Sequence, residues 1–333
     1  MSERFSILVS SAGRRGALVG ILRRTLADLG LDGEIVASDM TLLSSAAQLA
    51  DRRVVVPPQG DPSFIDATLE ACRTHGVRLL VPTHDGELPL LAAAHERFAE
   101  IGTTVSISAP ATVAIGRDKA LTHDWLVDHG FPTVRQAAPA KVLAAPDGWS
   151  WPLFVKPREG SAGIGVRRVT DPADLARAVA GDGGDDLVVQ EVAPGREHTV
   201  DVLVLGDGRC VGAVPRRRIA VRAGEVEKGV TVRDPAIEGL ARRVAEALPG
   251  AYGVLNVQIF VDPVQGDMRV IEINARYGGG FPLAYEAGAH YPAWTIEEIL
   301  GRPSSVADRW RDGLVMLRYD DAVFVEAADV GLA

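Results

Sequence analysis

The sequence predicts an open parallel α/β unit, followed by α+β domains that are built on antiparallel sheets. Over the first third of the chain, short apolar runs alternate with amphipathic stretches, which is typical of parallel strands connected by helices. Further along, strand-like runs follow each other across tight turns, which indicates antiparallel hairpins. A length of 333 residues is too great for one small core and indicates two or three packed units.

The N-terminal α/β unit is expected to occupy residues 1–112. Its predicted strands cover residues 5–10, 34–38, 53–56, 77–81 and 104–107. Its predicted helices cover residues 17–29, 62–75 and 87–101. Strands separated by helices of this length form a parallel sheet that is covered on both faces.

Two further units are expected at residues 113–190 and 191–333. The first is predicted to be a small lid subdomain, with a helix at 118–129, strands at 153–157, 166–169 and 187–190, and a helix at 171–180. The second is predicted to hold a candidate metal site. Its elements are strands at 199–205 and 209–214, a helix at 235–248, and a hairpin of residues 253–261 and 268–276.

The composition is that of an ordinary soluble globular protein, with 47% hydrophobic and 24% charged residues. A formal net charge of −9 argues against a nucleic-acid partner, because phosphate backbones are held by clustered Lys and Arg. Two cysteines, Cys72 and Cys210, indicate neither a disulfide framework nor a cysteine metal site. No signal peptide or bilayer-spanning run is recognisable, so we expect a cytoplasmic protein without membrane association.

The second hairpin is the most informative stretch for function. If its turn around Gln265 is symmetric, Gln258 lies opposite Glu272 and Asn256 lies opposite Asn274. Strand alternation then puts these four polar side chains on one face. The other face would carry the apolar side chains of Val257, Ile259, Ile271 and Ile273.

Carboxylate and amide oxygens side by side on two strands are hard ligands of the kind that Mg²⁺ prefers. We therefore predict a metal site at Gln258, Glu272 and Asn274, with Arg276 one step further along the same face to meet a transferring phosphoryl group. The alternative is a solvated polar face. Asn inside strands is locally unfavourable, which favours the metal site.

A glycine-rich loop follows the lysine of a predicted strand. Lys156 leads into residues 158–165, where Gly160, Ser161, Gly163 and Gly165 would let backbone N–H groups approach phosphate oxygens. The loop is not a P-loop, since no Gly-Lys-Ser/Thr follows and strands flank it. We interpret it as a flap over phosphates; a purely structural hairpin turn is the alternative.

Two weaker signals accompany this loop. A strand ends at Gln190 and is followed by Glu191, Val192 and Ala193, a connector whose backbone groups can meet an adenine edge, with Glu197 near enough for ribose hydroxyls. A surface hinge is the alternative interpretation. Lys119 stands in the first turn of a predicted helix, where it opposes the helix dipole and so suggests a phosphate contact.

Substrate contacts are predicted at two loops on the same edge of the N-terminal sheet. Arg14 and Arg15 follow the first strand at a site suited to an anion, and Asp85 and Glu87 follow the fourth strand. Together these residues would hold an amino acid, unless Asp85 and Glu87 only cap the next helix. Arg216, Arg218, Arg222 and Lys228 form a basic strand and loop that would reach the phosphoryl group or an acidic substrate; a solvated edge strand is the alternative.

Taken in order, these segments resemble the ATP-grasp superfamily over residues 117–300, and the carbamoyl-phosphate-synthetase-like carboxylate–amine ligases within it. The ordered set comprises Lys119, Lys156, the glycine loop, residues 190–197, Gln258, Glu272, Asn274 and Arg276. The resemblance implies an N-terminal α/β domain followed by ATP-grasp domains with antiparallel sheets. Gln190 departs from the pattern, since some relatives carry an acid there.

The resemblance also implies roles for these residues. Lys119 and Lys156 would contact the nucleotide phosphates, and the flap with Ser161, Gly163 and Gly165 would close over them. The backbone of residues 191–193 would hold adenine, with Glu197 on ribose. Glu272 would bridge two Mg²⁺ ions, for which Mn²⁺ is a substitute, with Gln258 and Asn274 as further ligands. Lys156, Arg218, Lys228 and Arg276 would assist catalysis, and Gly279 would leave room for substrate.

The implied activity joins a small-molecule carboxylate to an amine, both amino-acid-like, through an acyl phosphate, with release of ADP and phosphate. A homodimer is one option for the assembly. The alternatives are a non-catalytic ATP sensor on the same fold, a kinase-like relative, and an NAD(P)-dependent oxidoreductase. The last rests on Asp39 after the second strand, but the turn at residues 11–16 lacks the first glycine of the dinucleotide fingerprint.

Overall fold

The computed structural model describes residues 3–160, 163–180, 186–222 and 224–332. Its strands form three sheets, which follow each other along the chain in the order expected for the three units. The unit boundaries at residues 112 and 190 stay predictions. Among the described residues, no helix combines the length and the apolar character that crossing a bilayer requires.

The N-terminal sheet is parallel, with strand order β3-β2-β1-β4-β5. The strands are β1 (Ser6–Ser10), β2 (Ile35–Asp39), β3 (Arg52–Val55), β4 (Val77–Pro82) and β5 (Thr104–Val105). The helices are α1 (Gly16–Asp28), α2 (Ser45–Leu49), α3 (Phe64–His75), α4 (Leu88–Ala93) and α5 (His95–Ala99). The predicted helix at 87–101 is wrong as one helix, because Ala94 leaves helical geometry at φ −101° and ψ 5° and separates α4 from α5.

The strand order reverses at β1, since β2 and β3 lie on one side of it and β4 and β5 on the other. The loops after β1 and β4 therefore meet at the carboxyl edge on either side of a topological switch point. Ligands of open α/β sheets bind in the crevice at such a point. The fold thus supports a ligand site between residues 10–16 and 82–87.

The small sheet is antiparallel, with strand order β6-β9-β7-β8. Its strands are β6 (Gln136–Ala137), β7 (Leu153–Pro157), β8 (Arg167–Val169) and β9 (Leu187–Glu191). Four helices precede or cover it, α6 (Pro110–Arg117), α7 (Lys119–Asp128), α8 (Pro139–Ala144) and α9 (Pro172–Val179). Strand β6 and helix α8 were not predicted, since they lie in a short segment rich in Ala and Pro.

The large sheet is antiparallel, with strand order β14-β13-β10-β11-β12-β15. Its strands are β10 (Arg196–Val204), β11 (Cys210–Arg222), β12 (Glu225–Thr231), β13 (Gly253–Val261), β14 (Met268–Asn274) and β15 (Val315–Leu317). Helices α10 (Pro235–Ala247), α11 (Phe281–Ala287) and α12 (Tyr291–Ile299) complete this region.

The large sheet and the N-terminal sheet share their hydrophobic cores. One cluster joins Leu8 and Leu80 to Val257 and Ile273, and a second cluster on the other side joins Ile7 to Leu203. The small sheet instead packs on a core of its own, which is formed by Val142, Trp149, Leu153, Val155, Val169, Leu175, Leu187 and Val189. The large sheet and the N-terminal sheet therefore form one packed body, and the small sheet forms a second body.

Candidate functional site

The hairpin of β13 and β14 has the predicted register. Gln258 lies opposite Glu272, and Asn256 lies opposite Asn274. Residues directly opposite each other in an antiparallel pair share a face, so the four polar side chains lie on the same side of the large sheet. Behind them, Val257 and Ile273 are fully buried.

One detail of the predicted hairpin is wrong. The pairing shifts after Gln258, so that Ile259 lies opposite Val270, and Ile271 is the extra residue of a β-bulge. Val270 is therefore the fully buried side chain of the apolar face, whereas Ile271 is only half-buried. The prediction assumed strict alternation along β14, which a bulge interrupts.

Each candidate metal ligand offers a side-chain oxygen atom. Asn274 donates from Nδ2 to Glu272 Oε1 at 3.0 Å, which holds the two side chains together. In the described part of the chain no three His, Cys, Asp or Glu side chains cluster in a way that would hold a metal ion. Gln258, Glu272 and Asn274 bring one carboxylate between them, a set that fits Mg²⁺ because this ion keeps waters and takes phosphate oxygens as further ligands.

Arg276 joins this hairpin to the N-terminal sheet. Its Nε and Nη2 donate to Asp85 Oδ1 and Oδ2 at 2.7 and 2.8 Å, a bidentate pair between residues far apart in sequence. Burial raises the pKa of Asp85, but the attraction and hydrogen bonds of Arg276 outweigh it and hold that pKa below its ordinary value. Asn256 supports the arrangement by donating to the Arg276 carbonyl at 3.3 Å.

A cleft brings several of the predicted segments together, although Lys156, Gln258 and Arg276 do not line it. Its lining includes Asp85 from the loop after β4, Lys119 at the start of α7, Gly160 from the glycine loop, and Glu272 and Asn274 from β14. Residues that lie far apart along the chain therefore face one volume. The predictions for Ser161 fall outside the described residues, while Gly163 and Gly165 lie in the described turn before β8 with φ of 72° and 74°.

A chain of amides connects the two lysines that were predicted to bind phosphate. Lys156 donates from Nζ to Gln190 Oε1 at 2.6 Å, and Gln190 donates to Gln136 Oε1 at 3.1 Å. Gln136 in turn donates to the Lys119 carbonyl at 2.9 Å. Gln136 was missed in the sequence because its strand, β6, has only two residues.

Both lysines interact with neighbouring groups of the protein. Burial lowers the pKa of Lys156, and the negative charge of Glu272 opposes that shift. Lys119 Nζ donates to the Gly160 carbonyl at 2.9 Å. The Gly160 carbonyl thus accepts a hydrogen bond that a phosphate oxygen could accept in its place.

The connector at the end of β9, residues 191–193, is held in part by a hydrogen bond. Glu191 accepts a long hydrogen bond of 3.4 Å from the Ser150 amide, while Val192 is exposed and Ala193 is half-buried. Glu197 is ion-paired with Arg218, which also donates to the Gly224 carbonyl. The residues predicted for ribose binding and for catalysis therefore neutralise each other here, and both roles stay predictions.

The basic strand does not act as one patch. Arg216 is buried against Asp201, and Arg222 pairs with Asp320 at the surface. Gly229 lies opposite Arg218, so alternation along β12 turns the neighbouring Lys228 to the other face, where it is exposed opposite Leu317. The predicted catalytic role of Lys228 stays a prediction.

The loops at the edge of the N-terminal sheet are held by Glu87. Its carboxylate is fully buried and accepts from Ser10 and Ser11 hydroxyls at 2.6 and 2.7 Å. It also accepts from the amides of Thr83 and His84. The predicted substrate contact of Glu87 is corrected, because the side chain faces inward and ties the two loops together. Ser11 takes a left-handed φ of 49°, a strained conformation of the kind found at ligand sites.

The remaining predicted substrate residues lie around Gly279. Arg14 is exposed, and Arg15 Nη1 lies 3.3 Å from Glu225 Oε1. A Cβ added at Gly279 would lie 1.6 Å from Glu225 Oε2, so the space predicted for substrate beside this glycine is occupied by a carboxylate. Glu225 and its second partner Arg318 were missed in the sequence, where no motif marks them.

Comparisons with known proteins agree with these features. Residues 184–322 match a family profile described as ATP-grasp in the biosynthetic pathway with Ter operon, and residues 7–106 match the PylC-like N-terminal domain. D-alanine–D-alanine ligase of Kineococcus radiotolerans is 30% identical over 276 residues, which cover 67% of this chain and 71% of that protein. The enzyme of the same name from Corynebacterium glutamicum strain R is 29% identical over 205 residues, 55% of this chain, and the chain spans only 53% of its length.

Solved structures share the fold. The biotin carboxylase–beta-gamma-ATP complex of Campylobacter jejuni superposes with a TM-score of 0.74 at 17% identity, covering 93% of this chain and 74% of that one. The biotin carboxylase domain of Hydrogenobacter thermophilus 2-oxoglutarate carboxylase, solved with MgADP and bicarbonate, gives 0.72 at 18% identity, covering 93% and 73%. The chain belongs to the ATP-grasp family of ligases.

This result removes the oxidoreductase alternative. Asp39, on which that alternative rested, accepts from the Gly13 amide at 2.7 Å and from the Met40 amide at 2.8 Å. Its carboxylate is therefore used to close the turn after β1, and it does not stand free for a ribose.

Proposed function

We propose that this chain is an ATP-dependent carboxylate–amine ligase that forms an amide or peptide-like bond. The observation that carries the proposal is the single cleft lined by Lys119, Gly160, Glu272, Asn274 and Asp85. It gathers cationic and backbone groups suited to phosphates, oxygen ligands suited to Mg²⁺, and a loop of the N-terminal sheet suited to a small substrate.

The reaction proceeds in two balanced steps. A carboxylate oxygen attacks the γ-phosphorus of ATP, the bond between this phosphorus and the bridging oxygen breaks, and ADP leaves with the electron pair. The nitrogen of the amine then attacks the carbonyl carbon of the acyl phosphate, the carbon–oxygen bond breaks, and phosphate leaves while the nitrogen loses a proton to solvent. The first step brings two anions together and the second expels a phosphate anion, so positioning and electrostatic stabilisation supply the catalysis.

The protein groups have separate parts in this scheme. Gln258, Glu272 and Asn274 would hold two Mg²⁺ ions, or Mn²⁺ as a substitute, and bound metal neutralises phosphate charge. Arg276 lies on the same face, and its pair with Asp85 orients the guanidinium toward the cleft. Arg218 lies further along the sheet, where release from Glu197 would free it for an anion and Glu197 for ribose.

The small sheet supplies the other wall. Lys156 and Lys119 bind phosphates once Lys119 exchanges the Gly160 carbonyl for a phosphate oxygen. We assign residues 113–190 as a lid on its own core, 1–112 as the substrate-binding domain and 191–333 as the metal-binding domain. The backbone of Glu191, Val192 and Ala193 receives adenine, with Gln190 beneath it holding Lys156 in place.

The substrates are small and amino-acid-like, which is supported by the arginines and carboxylates beside the cleft and by the family's D-alanine–D-alanine ligases. A cytoplasmic location completes the proposal, and a homodimer is one option for the assembly.

Phosphate release measured across a matrix of amino acids with ATP and Mg²⁺, with mass spectrometry of the products, tests this function. At least one pair of substrates is expected to release phosphate and to give a product with the mass of the two substrates less one water. Nucleotide binding without phosphate release for any pair would support the sensor alternative, and a stable phosphorylated acid without condensation would support the kinase-like one.

A further inference from the structure

Two closed arginine–carboxylate pairs flank residues 278–280. Arg276 donates two hydrogen bonds to Asp85. Arg216 donates from Nε and Nη2 to Asp201, and both of these side chains are buried. In each pair one guanidinium meets one carboxylate in a bidentate contact, so each charge has a matched partner. Neither pair therefore carries an excess charge.

A third group of charges beside the same turn is open. Arg15 Nη1 lies 3.3 Å from Glu225 Oε1, and Arg318 Nη1 lies 3.9 Å from Glu225 Oε2. Two guanidiniums share one carboxylate, which leaves one positive charge in excess. Within the described ranges of the chain, neither contact is a hydrogen bond, and the three side chains remain 22–33% exposed.

Arg15 of this open cluster has few hydrogen-bond acceptors for its guanidinium among the residues that the structure describes. Burial lowers the pKa of Arg15, and the attraction of Glu225 opposes that shift. A guanidinium carries five N–H donors, and a half-buried one is stabilised when acceptors reach them. An entering anion would supply those acceptors.

The three charged groups meet at one backbone position, Gly279, in the segment that follows Arg276. A Cβ at Gly279 would lie 1.6 Å from Glu225 Oε2 and 2.7 Å from Arg15 Nη1. Arg318 donates from Nη2 to the Gly279 carbonyl. Gly279 follows Arg276 by three positions, and Arg276 and Arg15 lie close enough that each charge influences the other. The open cluster is therefore adjacent to the group that we assign to the transferring phosphoryl.

We propose that Arg15, Glu225 and Arg318 form the subsite for the amine substrate and bind it as the zwitterion of an α-amino acid. The α-carboxylate lies between Arg15 and Arg318, and the ammonium lies against Glu225. This inference rests on the proposed ligase function. It assigns a specificity role to Arg318, which comes from the segment after β15 and reaches Glu225 of β12 and the Gly279 carbonyl.

The chemistry of the cluster selects the amine substrate over the acid that is activated. A carboxylate gripped by two guanidiniums has its lone pairs engaged and its charge neutralised, which makes it a poor nucleophile toward phosphorus. An amino acid bound in this way reacts through its nitrogen instead, after its ammonium has lost a proton to solvent and become a neutral amine.

Calorimetric titration of the full chain with the twenty common amino acids, with ADP and Mg²⁺ present, tests the subsite without relying on turnover. At least one amino acid is expected to bind, and its α-amide, which lacks the carboxylate, is expected to bind about tenfold more weakly or worse. Arg318→Gln keeps a donor for the Gly279 carbonyl but removes the charge, so it is expected to abolish most of this difference. Gly279→Ala displaces the Glu225 carboxylate without backbone strain and is expected to weaken amino-acid binding by a similar factor.

The matched control is Arg209→Ala, which removes an exposed arginine paired with Asp207 in the turn before β11. Its dissociation constants are expected to equal those of the unmodified chain. The subsite is overturned if no amino acid binds, or if both Arg318→Gln and Gly279→Ala keep the unmodified affinity and carboxylate preference. Binding that depends on Arg318 but is accompanied by no phosphate release for any substrate pair would contradict the ligase function and leave the subsite standing.

Discussion

The large sheet and the small sheet differ in how their cores are built. Residues of the large sheet pack into two clusters together with the N-terminal sheet, whereas the small sheet packs on eight buried residues between positions 142 and 189. Glu272 and Asn274 lie on the first body, and Lys156 lies on the second. The proposed nucleotide site therefore spans two separately packed bodies, one that holds the proposed metal ligands and one that we propose closes over phosphates.

The largest effect is expected at the metal ligands of the large sheet. Glu272→Gln removes the only carboxylate of the proposed set and should lower turnover by about 100-fold or more, because charge on the phosphates is no longer neutralised. Steady-state phosphate release measures this change. Asp267→Asn in the turn of the same hairpin, where the carboxylate is exposed and paired with Arg269, is the control and should keep full activity. Near-normal rates for Glu272→Gln would refute the metal assignment.

A smaller loss is expected on the small sheet. Lys156→Ala removes one charge-assisted phosphate contact and should raise the KM for ATP by about 10- to 100-fold, with some turnover remaining. Kinetics at varied ATP concentration separate this effect from a change in kcat. Lys141→Ala on the exposed side of α8 should leave both constants unchanged. Equal KM values for the Lys156 variant and the unmodified chain would exclude Lys156 from the phosphate site.

Core substitutions test whether the two bodies are separate. Leu175→Ala in the small core and Leu255→Ala in the shared core each leave a cavity and should cost about 2–5 kcal/mol. Hydrogen exchange is expected to show local opening confined to residues 136–191 for the first variant, and opening of both other sheets for the second. Uniform opening of the whole chain in the Leu175 variant would show that the bodies unfold as one.

The smallest effect concerns the link between the N-terminal loop and the hairpin. The pKa of Asp85 is depressed below its ordinary value of 3.8, so its stabilising contribution is present above that pH and is lost as the pH falls through the lower folded value. Asp85→Asn should therefore lower the Tm at pH 7 by a few degrees, and the difference should shrink in strong acid. Melting curves across pH check this, and a difference that grows toward low pH would have the wrong sign.

Much of the hairpin was predictable because its information is local. A symmetric turn sets which residues of β13 and β14 face each other, and Gln258 and Glu272 follow from that alone. The bulge at Ile271 was not predictable, since a run of alternating residues contains no signal of the interruption. The bidentate pair of Arg276 with Asp85 was also missed, because sequence order does not state which loops of distant elements meet in space.

The same limit applies to the open cluster. Arg15 lies in the loop after β1 of the N-terminal sheet, whereas Glu225 and Arg318 belong to β12 and to the segment after β15 of the large sheet. Each is an ordinary surface charge when the sequence is considered alone. Lys228 illustrates a related limit, since a basic run along a strand alternates between faces and its members need not share one site.

A crystal structure with Mn²⁺ and a non-hydrolysable ATP analogue tests the central claim most directly. The anomalous signal of Mn²⁺ is expected beside Gln258, Glu272 and Asn274, with the triphosphate between this site and the two lysines, Lys119 and Lys156. A metal bound away from Glu272, or a triphosphate that contacts neither lysine, would contradict the account.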